Sequence, residues 1–196
     1  MIEEEKRIKT KSQLKEWLNY ESKYYGSGNY LRIIYPVTEG DVLKKHQILL
    51  RKTEYHKNVG HRIRGIIFSI FLLRYQNRYS IHIPINTFAK GLRLIHVGPR
   101  LVNGNVSVGE DCVLHINTAL VAGGTNDGCP TLGKNIIMGI NSVALGELYI
   151  ANGVAVGANA VVNKSVLEEN IAVAGVPAKK ISENGRNKWR KEERGH

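Results

Sequence analysis

At 196 residues, 42% hydrophobic and with only two cysteines, the chain is long enough for one well-buried main domain, too short for two large ones, and unsuited to a secreted disulfide framework. Its net charge of +11 sits at the ends: residues 1–80 hold 16 basic and 8 acidic side chains, residues 81–178 hold 5 and 6, and residues 179–196 hold 7 and 3. The middle therefore lacks the basic stripe with interleaved aromatics of a nucleic-acid surface; the basic ends read first as a solvated surface that keeps the protein soluble, with a polyanionic small molecule or an anionic membrane face as the alternatives.

The N-terminus, MIEEEKRIKTK, is acidic where a secretory leader is basic, and no apolar stretch follows it, so a bacterial cytoplasmic protein is expected. Ser12 caps a first helix over residues 12–25, with Leu14, Trp17, Leu18 and Tyr24 at mostly helical spacing before Gly26 and Gly28 end the run. A second helix is expected from about Asp41 to Tyr55 and a third from about His61 to Tyr75. In the third, Ile63, Ile66, Ile67, Ile70, Phe71 and Leu73 supply an apolar face that reads as core. Its run GIIFSIFLL is under half the roughly 20 residues a bilayer span needs, so no transmembrane segment is expected and the basic ends leave only weak membrane-surface association open. Residues 1–79 thus read as a small α-helical region, within which His46, His56 and His61 carry no motif.

After Tyr79 the texture changes to Gly, Val, Ile and Asn with a six-residue period. Every sixth residue from Leu132 gives Leu132, Met138, Ala144, Ile150, Val156 and Val162, and the positions four later give Ile136, Ser142, Leu148, Val154, Ala160 and Val166. No amphipathic helix has period six, whereas a triangular prism of short parallel strands, three hexapeptides per coil, turns one aliphatic residue per side inward. Gly133, Gly139 and Gly157 follow first-series residues, where tight turns favour glycine. Upstream the phase runs through Leu120, Leu114, Val108 and Val102, then after an eight-residue step through Leu94, Phe88 and His82, which places His82 inside. Two departures mark places for a site: a two-residue excess in LIHVGPRL, 94–101, and the long segment GGTNDGCP, 123–130. Cys112 and Cys129 read as structural thiols, and residues 183–196 as a basic tail.

The segments GLRLIHVGPRLV (91–102), VSVGEDCVLHINTALVAGGT (106–125), CPTLGKNIIMGINSVALG (129–146), YIANGVAVGANAVVNKSV (149–166) and AVAGVPAKKI (172–181) resemble the hexapeptide-repeat acetyltransferases. Within that family they are similar to the serine acetyltransferase-like branch, which includes enzymes that O-acetylate exopolysaccharide sugars. The resemblance covers about residues 80–182. It implies a mainly β chain, a left-handed parallel β-helix preceded by a small helical region, and an O-acetyltransferase with acetyl-CoA as donor and no metal. It places the catalytic base at His96, an imidazole able to take a hydroxyl proton and return it to a thiolate. His115, one coil above, is a candidate second site residue. Gly123 and Gly124 would aim N–H groups at the thioester oxygen, Ile140 and Ala158 would line the pantetheine arm, and Lys179 and Lys180 would lie near the nucleotide phosphates.

The resemblance also shows two departures. Where serine acetyltransferases carry an aspartate that orients the base, this chain has Ile81, and where they carry an acidic residue beside the base, it has Ile95. Both favour a sugar of surface-polysaccharide assembly over serine as acceptor, and leave Glu110 and Asp127 as unranked candidates for holding His96 or the substrate. The family implies a homotrimer with a site at each subunit boundary. Two alternatives stand beside this reading: a serine O-acetyltransferase of cysteine synthesis, and a noncatalytic or metal-binding β-helix, for which His96 and His115 would need a third ligand.

Overall fold

The computed structural model describes residues 7–26, 30–124 and 127–188. Among these, four α-helices precede a run of short strands: α1 Lys11–Ser22, extended by a 3-10 turn over Lys23–Tyr25, α2 Tyr30–Ile34, α3 Glu39–Asn58 and α4 Arg62–Tyr79. The cap of α1 is Thr10 rather than Ser12, because Thr10 Oγ1 accepts the Gln13 N–H at 3.1 Å while Gln13 Oε1 accepts the Thr10 N–H at 3.0 Å, a reciprocal capping box. Gly26 follows at φ 74°, and Gly28 lies outside the described residues. Helix α3 starts two residues before the expected Asp41, behind the equivalent box of Thr38 and Asp41.

The expectation that the third helix buries its isoleucines is corrected. Only Gly65, Leu72 and Gln76 of α4 are buried, while Ile63, Ile66, Ile67, Ile70, Phe71 and Leu73 are exposed. The helix packs chiefly along α3, and its sequence is apolar on nearly every side, so periodicity could not say which side turns inward.

The strands run from β1, Ile81–His82, to β14, Lys179–Ser182, in three sheets of five, three and six strands whose pairings are parallel except for the last strand. Thr131 pairs with Tyr149, Ile137 with Ala155 and Val143 with Val161, a coil of 18 residues made of three hexapeptides. The step widens to 20 residues between Arg93 and Val113 and to 24 between Val113 and Ile137. The two irregular segments therefore insert two and six residues into the 18-residue coil, while the step is 19 from Ile81 to Arg100 in the first coil and 17 from Ala155 to Ala172 in the last. Inside the prism the side chains stack as columns, with Phe88, Val108, Leu132 and Ile150 on one wall, Leu94, Leu114, Met138, Val156 and Val173 on the second, and Val102, Leu120, Ala144 and Val162 on the third, all buried.

His82 does not continue these columns. It is exposed between fully buried Ile81 and Ile83, because the strand alternation at the first coil is set by its pairing with Arg100 and Leu101 rather than by the downstream phase. At the corners Asn86, Asn117, Asn135, Asn141, Asn159 and Asn170 hold φ of 55–60°, the left-handed conformation that asparagine tolerates, which accounts for the rise in Asn. The glycines after the inward residues serve another purpose than expected. Gly139 does not have a positive φ, but a Cβ there would meet Val156 O of the next coil at 2.7 Å, so close stacking of coils demands the glycine.

The region read as a tail begins against the prism: Gly185 and Arg186 are buried, and their N–H groups donate to Asn170 O and Gly153 O at 2.7 and 2.8 Å. Residues 189–196 lie outside the described residues.

At the other end the helices close the first coil through Arg51. Its Nε and Nη2 bond Glu21, its Nη1 bonds Glu54 at 2.8 Å, and its remaining N–H groups reach Phe88 O at 2.9 Å and Ala89 O at 2.8 Å. Burial alone would lower the guanidinium pKa, but the two carboxylates raise it above its ordinary value. Glu21 also accepts the Gly91 N–H at 2.9 Å and Glu54 the Asn86 N–H at 2.9 Å, so helix carboxylates serve backbone donors of the prism. Arg51→Met leaves two buried carboxylates without their counter-charge and two carbonyls without this donor, and is expected to cost roughly 3–5 kcal/mol in urea unfolding, whereas a loss within ~0.5 kcal/mol, that of an ordinary surface substitution, would contradict this role.

Candidate active site

The two-residue insertion defines a corner. Three residues separate Leu114 from Thr118 in the second coil, but five separate Leu94 from Arg100 in the first. The longer corner swings outward and carries His96 at φ 61° with its imidazole exposed. Its Nδ1 lies 3.1 Å from Glu39 Oε2, and Glu39 Oε1 accepts the Val97 N–H at 3.1 Å. Glu39 is the first residue of α3, where a carboxylate meets the positive end of the helix dipole. The bond to His96, followed by that from Val97, holds its carboxyl below the usual glutamate range. An ionised carboxylate only accepts, so Nδ1 carries the proton and Nε2 is left as the basic nitrogen.

Arg100 secures the corner from beneath. Its guanidinium is buried and donates to Gly98 O at 3.0 Å, to His96 O at 2.8 Å and to Ile95 O. Burial pushes it down to about 10, so it stays charged at neutral pH. Tyr25 Oη accepts the Leu94 N–H at 2.9 Å, a second tie from the helical region to this strand end.

The sequence-derived candidates fall into two groups. His115 stacks above Ile95 and is half-buried; burial, then the charges of His96 and Arg100, push its imidazole below the ordinary value and keep it neutral. Gly98 lies under Ile116, Asn141 donates to Ile116 O at 3.1 Å, and Asn159 donates to Ile140 O at 2.9 Å, so exposed Ile140 and Ala158 continue the same edge of the prism upward from His96. Three coil steps of ~4.7 Å make this edge about 14 Å long. Gly123 and Gly124 open the six-residue insertion; a Cβ on Gly123 would meet Gly146 Cα at 3.1 Å, and Gly124 has φ 82°. Thr125 and Asn126 of that loop lie outside the described residues.

Other candidates stand apart. Glu110 pairs with Lys134 Nζ at 3.0 Å beside a groove of about 290 Å³ that also includes Ser107, Thr131, Tyr149 and Asn152, and none of the residues lining that groove belongs to the His96 corner. Asp127 is exposed, and its carbonyl accepts from Cys129 Sγ at 3.5 Å. Glu39, not either of these, partners the imidazole. Lys180 is engaged by Glu168 and by Glu183 at 2.7 Å, whereas Lys179 is exposed on β14. Glu39 and Arg100 escaped sequence reasoning. Glu39 reaches His96 across 57 residues, a pairing no local pattern encodes, and Arg100 occupied a position that reads as ordinary strand. Among the described residues no three His, Cys, Asp or Glu side chains are grouped so as to hold a metal.

No family model matches the chain. It is 26% identical over 174 residues to a serine acetyltransferase of Buchnera aphidicola subsp. Schizaphis graminum, covering 80% of this chain and 66% of that protein. It is 37% identical over 87 residues to UDP-3-O-acylglucosamine N-acyltransferase 1 of Sulfurimonas denitrificans, covering 44% of this chain and 27% of that one. The chain thus spans just under two thirds of the first relative's length and about a quarter of the second's. The fold matches a crystal structure of serine acetyltransferase in complex with coenzyme A from Brucella abortus strain S19 with a TM-score of 0.67 and 19% identity, over 90% of this chain and 70% of that one. The chain has the left-handed β-helix fold of the serine acetyltransferase-like hexapeptide transferases.

If His96 is what depresses Glu39, then His96→Ala moves the Glu39 carboxyl titration up toward the ordinary 4.5, read by carbon-detected NMR; an unchanged titration would contradict the pairing.

Proposed function

We propose that the protein moves the acetyl group of acetyl-CoA onto a hydroxyl of a small acceptor, with His96 as general base. The observation that carries this reading is the His96–Glu39 contact on the outswung corner, which leaves Nε2 basic and facing solvent. His96 Nε2 takes the hydroxyl proton as the acceptor oxygen bonds to the acetyl carbon, then returns it to the departing sulfur as the C–S bond breaks. Glu39 holds the tautomer and stabilises the imidazolium formed in between, the orienting role a carboxylate plays beside catalytic histidines. The N–H groups at Gly123 and Gly124 are the proposed donors to the carbonyl oxygen.

The edge above His96 fits a long, thin donor. At Gly139 and Gly157 the coils approach so closely that no Cβ is accommodated, and Ile140 and Ala158 beside them are exposed, a narrow ledge with free apolar surface. Lys179 near its upper end would meet phosphate. A second prism laid against this edge would complete the groove, and exposed Leu101 and Ile140 supply apolar surface for the homotrimer we propose. A cytoplasmic enzyme fits this donor, and no described helix is long and apolar enough to cross a membrane.

For the acceptor, the relatives favour serine, since the long alignment is to a protein of that name and activity. The structure also weakens the case drawn from Ile81: the carboxylate missing there is supplied by Glu39, while Ile81 itself is core. Ile95 keeps a sugar acceptor as the second reading. It is partly buried against Val113 and Ile137 and offers no charge to an amino acid's ammonium group. Thiol release from acetyl-CoA, measured with serine, nucleotide sugars and simple glycosides, separates the two. Turnover is expected with one acceptor class and should drop roughly 10²–10⁴-fold in His96→Ala; activity unchanged in that variant, or no turnover with any acceptor, would overturn the reading.

A further inference from the structure

We infer that the outward face of α4 is a docking surface for an anionic lipid bilayer. Ile63, Ile66, Ile67, Ile70, Phe71 and Leu73 are 46–75% exposed on a single 18-residue helix, a density of large apolar side chains that isolated soluble surfaces seldom show. Arg62 and Arg64 flank this surface in the first turn, and Arg74 and Arg78 in the last turns. No acidic residue occurs between Glu54 and Glu110. The acids of α3, which runs beside α4, are committed elsewhere: Glu39 to His96, Asp41 to Arg32 and the Thr38 cap, and Glu54 to Arg51. Near the C-terminal end of α4, Lys45 lies over the Tyr75 ring and bonds Ile34 O at 2.7 Å, which brings exposed Tyr35 and Val37 toward the same end.

Charge selects the occupant. Two copies joined α4 to α4 would set Arg62 and Arg64 against Arg74 and Arg78 if antiparallel, and each arginine against itself if parallel, with no acid on the helix to offset either arrangement. A nucleic acid would satisfy the arginines but leave the isoleucines in water. A bilayer with anionic headgroups satisfies both: the apolar side chains sink to the acyl boundary while the arginines stay among the phosphates. The helix would lie in the plane of the interface, since no described helix is apolar enough to span it. Tyr75 Oη bonds Val42 O at 3.2 Å, so the C-terminal part of α4 lies beside the beginning of α3, where Glu39 meets His96. Docking would therefore hold the bilayer on the helical side of the catalytic corner. The inference does not depend on the acceptor or on the acetyl-transfer reading.

Flotation with vesicles of phosphatidylcholine alone, or mixed with phosphatidylglycerol, tests it on the full chain. The protein is expected to float with the mixed vesicles and to bind the neutral ones at least tenfold more weakly. Arg74→Gln with Arg78→Gln should weaken binding to the mixed vesicles by roughly thirtyfold, at about fivefold per arginine. Ile67→Asp with Ile70→Asp should abolish flotation; because these residues are already in water, circular dichroism and unfolding of both variants should match the native chain. Absence of binding to mixed vesicles, or binding that survives the isoleucine changes, would overturn the inference. So would self-association in sedimentation that the isoleucine changes abolish, since a second copy would then be what covers the face.

Discussion

Arg51 has no exposed atom, and each of its five N–H groups has an acceptor: two carboxylates from the helices and two carbonyls from the first coil of the prism. A β-helix has an open end at which backbone groups and apolar side chains would meet water, and here the helices seal that end with a buried ionic network rather than with apolar contacts alone. Lysine could not substitute, since its three donors lack the planar fork. Because the network fixes α3 against the first coil, it also fixes where α3 begins. The Thr38 capping box starts the helix at Glu39, and the α3 axis carries that carboxylate to the His96 corner.

The catalytic proposal thus rests on two parts of the chain that share no local sequence. A two-residue insertion swings His96 outward, Arg100 binds the carbonyls of the swollen corner, and a carboxylate from another element sets the tautomer. Serine acetyltransferases, by the resemblance, place an orienting aspartate on the prism itself; this chain fills that place with core Ile81 and brings the charge from the helical region. In the proposed reaction such an exchange would preserve the chemistry of the base while changing what surrounds the acceptor, and a serine-like fold does not by itself fix a serine substrate.

The prism was legible because its rule is strictly local: one inward residue every sixth position, asparagine or glycine at left-handed corners, and two visible breaks in phase. The location of His96 at one of those breaks followed from the same count. What the sequence hid depends on contacts between distant segments. Glu39, Arg51 and Arg100 look like ordinary charged residues until the helices are set against the first coil. The buried face of α4 could not be assigned because its apolar residues surround the helix, and His82 was misplaced because the first coil pairs under a different register from those above it.

The central claim is that His96 and Glu39 act as one unit, and a double-mutant cycle on kcat/KM for acetyl transfer tests it most directly. If Glu39 works only through the imidazole, Glu39→Gln lowers kcat/KM in the native background but adds almost nothing once His96 is already alanine. Fully additive losses would mean that Glu39 acts on the acceptor or on the fold independently, and would contradict the account.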